Sequence, residues 1–177
     1  ATGGPLLKQA RELKIDAQFA FGDGGCTDKM AELAGAAAEG MICSQAGIPV
    51  QAAGKKFLEA YKAAFKIDPI LYAPFTYDAT NLLIAAMRQA DSAEPANYLP
   101  VLEKISHDGA SGRIEFDEKG DRKDAEMTIF TMKEGKITPV AIIKGGKSMS
   151  LEEYAAASSP AAAPAPAAAP AAAPKEK

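Results

Sequence analysis

The chain has 177 residues, enough for one domain of ordinary size, and its 47% hydrophobic and 24% charged content is globular. A net charge of −3 gives no electrostatic reason to expect a nucleic acid or an anionic membrane as partner. No stretch of about 18 apolar residues runs without proline or charge, so nothing reads as a bilayer span and stable membrane insertion is not expected.

The start, Ala1-Thr2-Gly3-Gly4-Pro5, has neither an initiator Met nor a basic-then-apolar signal pattern, and it reads as the middle of a longer chain. Residues 5–14 then predict a helix, with Leu6, Leu7, Ala10 and Leu13 on one face and Lys8, Arg11, Glu12 and Lys14 on the other. A short apolar run, residues 19–21, reads as a buried strand. It leads into Gly22-Asp23-Gly24-Gly25-Cys26-Thr27, where glycines permit positive φ and let a ligand approach the main chain. Thr27 is placed to cap a helix over residues 28–34. Asp23 therefore stands at the carboxyl end of a strand, where open α/β sheets put their ligand sites, and a carboxylate there can pair with a bound ammonium. The plainer alternative is a turn aspartate.

Residues 40–44 form a second short apolar run, and helix, strand, helix, strand is the order of parallel βαβ units. Cys26 and Cys43 are the two cysteines, at a spacing that matches no metal-ligand pattern and with no accompanying histidine, so no metal is expected. If the two strands are parallel neighbours the sulfurs come within bridging distance; otherwise they are two small buried thiols.

Residues 53–65 predict an amphipathic helix carrying Phe57, Leu58, Tyr61, Ala64 and Phe65. Residues 74–90 predict a longer one, with Phe75, Leu82, Leu83, Ala86 and Met87 inward. A shorter helical stretch follows between Pro95 and Ile105. The period then switches to alternation, with a strand over 112–116, a charged turn over 117–121 and a hairpin of 127–132 with 137–143. Gly145 and Gly146 loosen the chain, and the alanine/proline tract of residues 155–174 reads as an extended, disordered arm.

Other chemistry is weakly represented. The glycine loop has Thr27 where a dinucleotide-binding GxGxxG needs glycine, so no nucleotide cofactor is expected, nor any other. Asp117, Glu118 and Asp121 lack the spacing of an EF-hand and read as a solvated turn. The single histidine, His107, reads as a surface loop residue, and no serine sits in a nucleophile elbow, so no catalytic residue is assigned.

Four ordered motifs, Phe21-Gly22-Asp23-Gly24-Gly25-Cys26, Ala34-Gly35-Ala36-Ala37-Ala38-Glu39-Gly40, Tyr72-Ala73-Pro74-Phe75-Thr76-Tyr77-Asp78-Ala79 and Phe116-Asp117-Glu118-Lys119-Gly120-Asp121, carry a resemblance over residues 1–143. The chain resembles the branched-chain amino-acid-binding proteins, periplasmic solute-binding subunits of ABC importers with the type I two-lobe fold. The resemblance implies an α/β protein of two three-layer α/β/α lobes joined by a hinge of three crossovers, with only the C-terminal part present here. It puts residues 1–45 in the second lobe, 46–126 in the first lobe and 127–145 back in the second, and leaves 146–177 as the tail. It implies that a small amino acid is held between the lobes and delivered to the permease subunits of an importer. Asp23 matches the acidic residue that pairs with the ligand α-ammonium, and some relatives have the longer Glu there. Tyr72 matches an aromatic at the cleft edge, and Gly24 joins them among the ligand-binding residues. The implied compartment is the periplasm, where a Cys26–Cys43 bridge would persist. A sensor domain of the same fold, and an amidase or amino-acid enzyme using Asp23, are the rival readings.

Overall fold

The computed structural model describes residues 2–157. Helix α1 (Gly3–Glu12) packs against α2 (Lys29–Ala34) through Gly4, Leu7 and Ala10, which are buried. Leu6 and Leu13, expected on the covered face, are instead 54% and 75% exposed. The helix begins and ends two residues early: Lys14 adopts φ 62 and terminates it, so Leu13 is its C-cap rather than an interior position.

Strand β1 (Ala20–Phe21) lies parallel to β2 (Ile42–Ala46), with Ala20 opposite Ile42 and Phe21 opposite Cys43. The second strand starts later than the apolar run suggests. Gly40, at φ 73, turns the chain, and its N–H bonds to the Met132 carbonyl before pairing with β1 begins. Strand β5 (Glu126–Lys133) returns antiparallel to β2, and β6 (Lys136–Lys144) follows through the expected hairpin. Gly145 and Gly146, expected to loosen the chain, instead form the turn into β7 (Lys147–Met149), which is followed by α6 (Leu151–Ala157). Residues 147–157, assigned above to the disordered tail, are therefore folded: β7 completes the sheet, and Tyr154 of α6 packs with Ile142 and Ile48. The rest of the alanine/proline arm lies outside the described residues.

The sheet has five strands in the order β1-β2-β5-β6-β7. Alternation along β5 puts Glu126, Thr128, Phe130 and Met132 on the covered face. There Cys43, Phe130 and Met132 meet Leu7, Met30, Ala34 and Ala38 from the helical side, forming the main core. The opposite face carries Ile42 and Met127, which are 37% and 44% exposed.

The chain leaves this sheet at Gly47 and re-enters it at Glu126. These points are tied together: Gly47 N–H donates to the Glu126 carbonyl at 2.7 Å, and Thr128 Oγ1 donates to the Gly47 carbonyl at 2.7 Å. Between them run α3 (Lys55–Phe65), α4 (Ala73–Ala90) and α5 (Pro95–Leu102), then a hairpin of β3 (His107–Gly109) and β4 (Gly112–Ile114). His107, read above as a loop residue, is thus in a strand opposite Ile114. The charged turn is closed by a backbone bond from Asp117 N–H to the Asp121 carbonyl and by the Asp117 side chain, whose Oδ1 accepts from the N–H groups of Lys119 and Asp121.

Candidate ammonium site at the strand ends

Asp23 opens a single 3₁₀ turn (Asp23–Gly25) directly after β1. None of Gly22, Gly24 and Gly25 has a positive φ, so the expected left-handed backbone is not what these glycines supply. Space is what they supply. A Cβ on Gly25 would meet Phe21 Cβ at 2.5 Å, whereas one on Gly22 or Gly24 would meet nothing within 4 Å. The turn is packed on one side and open on the other, which leaves the main chain accessible to a small molecule.

The Asp23 carboxylate is oriented by two donors. Gly24 N–H donates to Oδ1 at 2.8 Å, and the Tyr72 hydroxyl donates to Oδ2 at 2.8 Å. Tyr72 is the residue before α4, 49 positions away in sequence, so this bond joins the sheet segment to the helical segment. That bond, then burial, holds the Tyr72 phenol above the ordinary tyrosine range. A carboxylate has about four acceptor positions, so two remain after these bonds. Among the described residues no cation forms an ion pair with Asp23. It is an exposed, pre-oriented carboxylate with no ion-pair partner among the described residues.

Gly24, expected among the ligand contacts, has its N–H committed to the Asp23 side chain and touches the site through that bond. Cys26 and Cys43 are joined as a disulfide with their Cα atoms 5.5 Å apart, and both side chains are buried. The N-cap of α2 is Asp28 rather than the expected Thr27, whose Oγ1 accepts from Lys29 N–H at 3.3 Å from one residue further out. Asp28 reaches the other way, accepting the Ile137 N–H at 2.8 Å and fastening the start of α2 to the β5–β6 hairpin.

Beside the turn, a cavity of about 290 Å³ runs between the strand ends and the segment before α4, lined by Cys26, Thr27, Gln45, Ile70, Leu71 and Phe130, among others. That is near the lower end of the range for small-molecule sites. Asp23 and Tyr72 stand at its edge in sequence, each one to three positions from a lining residue, without forming its wall. Gln45 is the residue that sequence reasoning missed: its Nε2 donates to the Cys26 carbonyl at 3.2 Å. Its position two residues after Cys43, toward the carboxyl end of β2, was the available signal. Among the described residues no cluster of His, Cys, Asp and Glu could hold a metal ion, and no helix is long and apolar enough to cross a membrane.

Residues 1–136 match the family model described as periplasmic binding protein. The leucine-specific-binding protein of Salmonella typhimurium is 34% identical over 128 residues, which are 72% of this chain and 35% of that protein. Among solved structures, the leucine binding protein of Thermotoga maritima superposes with a TM-score of 0.70 at 28% identity, covering 80% of this chain and 41% of that one. An ABC transporter substrate-binding protein of Desulfitobacterium hafniense, in complex with Leu, gives 0.61 at 26% identity, covering 78% and 40%. The chain thus spans about a third of the length of the curated relatives it matches, 34% to 35% in each. Sequence model, relatives and architecture agree: the chain belongs to the periplasmic binding protein family, with the type I fold.

Proposed function

We propose that this chain is the part of a periplasmic solute-binding protein that holds the α-ammonium of a small, branched-chain amino acid for delivery to an ABC importer. The observation that carries the reading is Asp23: a carboxylate at the end of a parallel strand, oriented by Gly24 and Tyr72, with no ion-pair partner among the described residues. An ammonium placed there gains a charge-assisted hydrogen bond to an acceptor already in position. The names of the relatives, leucine-specific and Leu/Ile/Val-binding, support a branched aliphatic ligand.

The mechanism is binding, not turnover. Asp23 and Tyr72 come from segments joined at the Gly47 and Glu126 crossings, so a ligand touching both favours the arrangement that brings them together. Acid/base chemistry at Asp23 would need a second titrating group. Among the described residues its titratable hydrogen-bond partner is Tyr72, and that phenol is held in its protonated form. The permease subunits of an importer are the partners, and the periplasm is the compartment, where a disulfide persists.

The test is calorimetry of L-leucine binding to the whole protein. Asp23→Ala is expected to weaken binding by about 3–5 kcal/mol, the penalty for an ammonium enclosed without its counter-charge. Asp23→Asn is expected to lose less, because a hydrogen bond survives. Unchanged affinity in Asp23→Ala overturns the assignment.

A further inference from the structure

The turn that carries Asp23 is attached to one residue at both ends. Before the turn, Phe21 is the last residue of β1 and lies in register beside Cys43 of β2. After it, Cys26 is bonded through sulfur to the same Cys43. Cys43 is itself in the middle of the sheet, opposite Phe130 of β5, and is 1% exposed. Residues 22–25 are therefore a loop whose two ends meet on a single buried position. Within it, Gly25 N–H bonds to the Gly22 carbonyl and Cys26 N–H to the Asp23 carbonyl. If the bridge is removed, the exit of the turn keeps two bonds within the turn itself, Cys26 N–H to the Asp23 carbonyl and Thr27 N–H to the Gly25 carbonyl, and one longer tie to the sheet, from Gln45 to the Cys26 carbonyl at 3.2 Å.

We propose that the Cys26–Cys43 disulfide is a positioning element for the ligand ammonium, holding Asp23 at a fixed height above the strand ends through its shared anchor at Cys43. The inference rests on the ammonium-site reading above. Its physical content is preorganisation: a loop closed at both ends on one rigid residue has little freedom left to lose when the ammonium arrives. A short carboxylate makes this matter more, since aspartate has one fewer rotatable bond than glutamate with which to correct a misplaced backbone.

The experiment is a double-mutant cycle read by calorimetry with L-leucine on the whole protein. It crosses removal of the bridge (Cys26→Ala with Cys43→Ala) with Asp23→Ala. Removing the bridge is expected to weaken leucine binding about tenfold when Asp23 is present, and to change it by less than about twofold in the Asp23→Ala background, because nothing is left to position. Equal losses in both backgrounds overturn the inference, since the bridge then acts on the fold as a whole. No loss in either overturns it as well. Wild-type protein reduced with a phosphine provides the second measurement, with circular dichroism recorded alongside. If both the variant and the reduced protein unfold, the bridge is structural and the inference fails. If Asp23→Ala alone binds leucine like the wild type, the ammonium-site reading fails first and the positioning role falls with it, an outcome distinct from the others.

Discussion

The sheet segment and the helical segment of this chain both carry amphipathic helices, α1 in the one and α3 in the other, yet their apolar residues are buried to very different degrees. Around the sheet, Leu7, Met30, Met41, Cys43, Phe130 and Met132 are all 6% exposed or less. In the helical segment the apolar stripe of α3 buries Phe57 but leaves Phe65 64% exposed, and Ile67, Ile70 and Tyr77 are 59%, 69% and 53% exposed. A groove of about 740 Å³ runs along α3, walled by Phe57, Ala60, Tyr61, Phe65 and Tyr77. The difference is what lies beneath each helix. Helices α1 and α2 sit on a five-stranded sheet, whereas α3 to α5 share their segment with a two-stranded hairpin. A hairpin alone offers too little surface to cover three helices. Periodicity measures which face of a helix is apolar; it does not report whether the chain supplies something to cover that face.

The sharpest way to break the comparison is to truncate one apolar side chain in each segment. Leu7→Ala is expected to cost about 2–5 kcal/mol, because Leu7 is 0% exposed and its removal opens a cavity between α1 and the sheet. Phe65→Ala in the same 177-residue chain is expected to stay within about 0.5 kcal/mol, as for an ordinary surface site. Amide hydrogen exchange in β2 and β5 reads the first, and exchange in α3 reads the second. Comparable losses at the two positions would show that the helical segment has a core of its own.

A smaller effect sharpens the comparison within the helical segment, where one buried polar contact stands in for missing apolar packing. Asp78 of α4 is 1% exposed and accepts from the N–H groups of Ala110 and Ser111 and from the Ser111 hydroxyl, at 2.8, 2.6 and 2.6 Å. It clamps the turn of the β3–β4 hairpin to the helix. Asp78→Ala strands those donors and is expected to cost about 1–3 kcal/mol. Gly109→Ala attacks the same contact from the other side, since a Cβ there would meet the Asp78 carboxyl carbon at 2.4 Å. It is expected to cost a similar amount, about 1–3 kcal/mol. Urea unfolding followed by circular dichroism checks both. If Gly109→Ala destabilises Asp78→Ala as much as it does the wild type, the two are not one contact.

These contacts also mark how far the sequence could be read. The β1–α2–β2 order and the β5–β6 hairpin were legible because each strand is an apolar run bounded by glycine or charge, and the α4 helix because its stripe repeats over eighteen residues. Strand β3 was not, since His107-Asp108-Gly109 has no apolar residue and owes its conformation to β4 and to the turn that follows it, which a carboxylate more than thirty positions away holds at Ala110 and Ser111. Strand β7 and helix α6 were hidden because Ala155 to Ala157 merge in composition with the alanine/proline arm, while Tyr154, whose burial orders them, is one residue. At the candidate site, Asp23 could be named from its glycine turn and Tyr72 only through the family resemblance. Their hydrogen bond could not, because it depends on how two segments separated by 49 positions meet.

That bond gives the smallest expected effect and the most direct reading of whether the two segments meet as described. Tyr72 is 48% exposed, so its bond to Asp23 is a solvent-screened contact worth at most about 1 kcal/mol to stability. It is better read by titration. The phenol is held above its ordinary range first by the hydrogen bond to Asp23, then by partial burial and by the carboxylate charge. A folded-state value above the unfolded one means that the neutral phenol is the form the fold favours. The contribution is therefore complete below the unfolded value of about 10 and is lost as pH rises through the higher folded value. Alkaline titration followed by phenolate absorbance should show Tyr72 as a late-ionising step. Tyr72→Phe should remove that step, and Asp23→Asn should move it toward lower pH, since the amide takes away the charge and offers a weaker acceptor. A wild-type curve unchanged by Asp23→Asn would mean that Tyr72 and Asp23 do not touch in solution, and the helical segment would then not reach across to the strand ends at all.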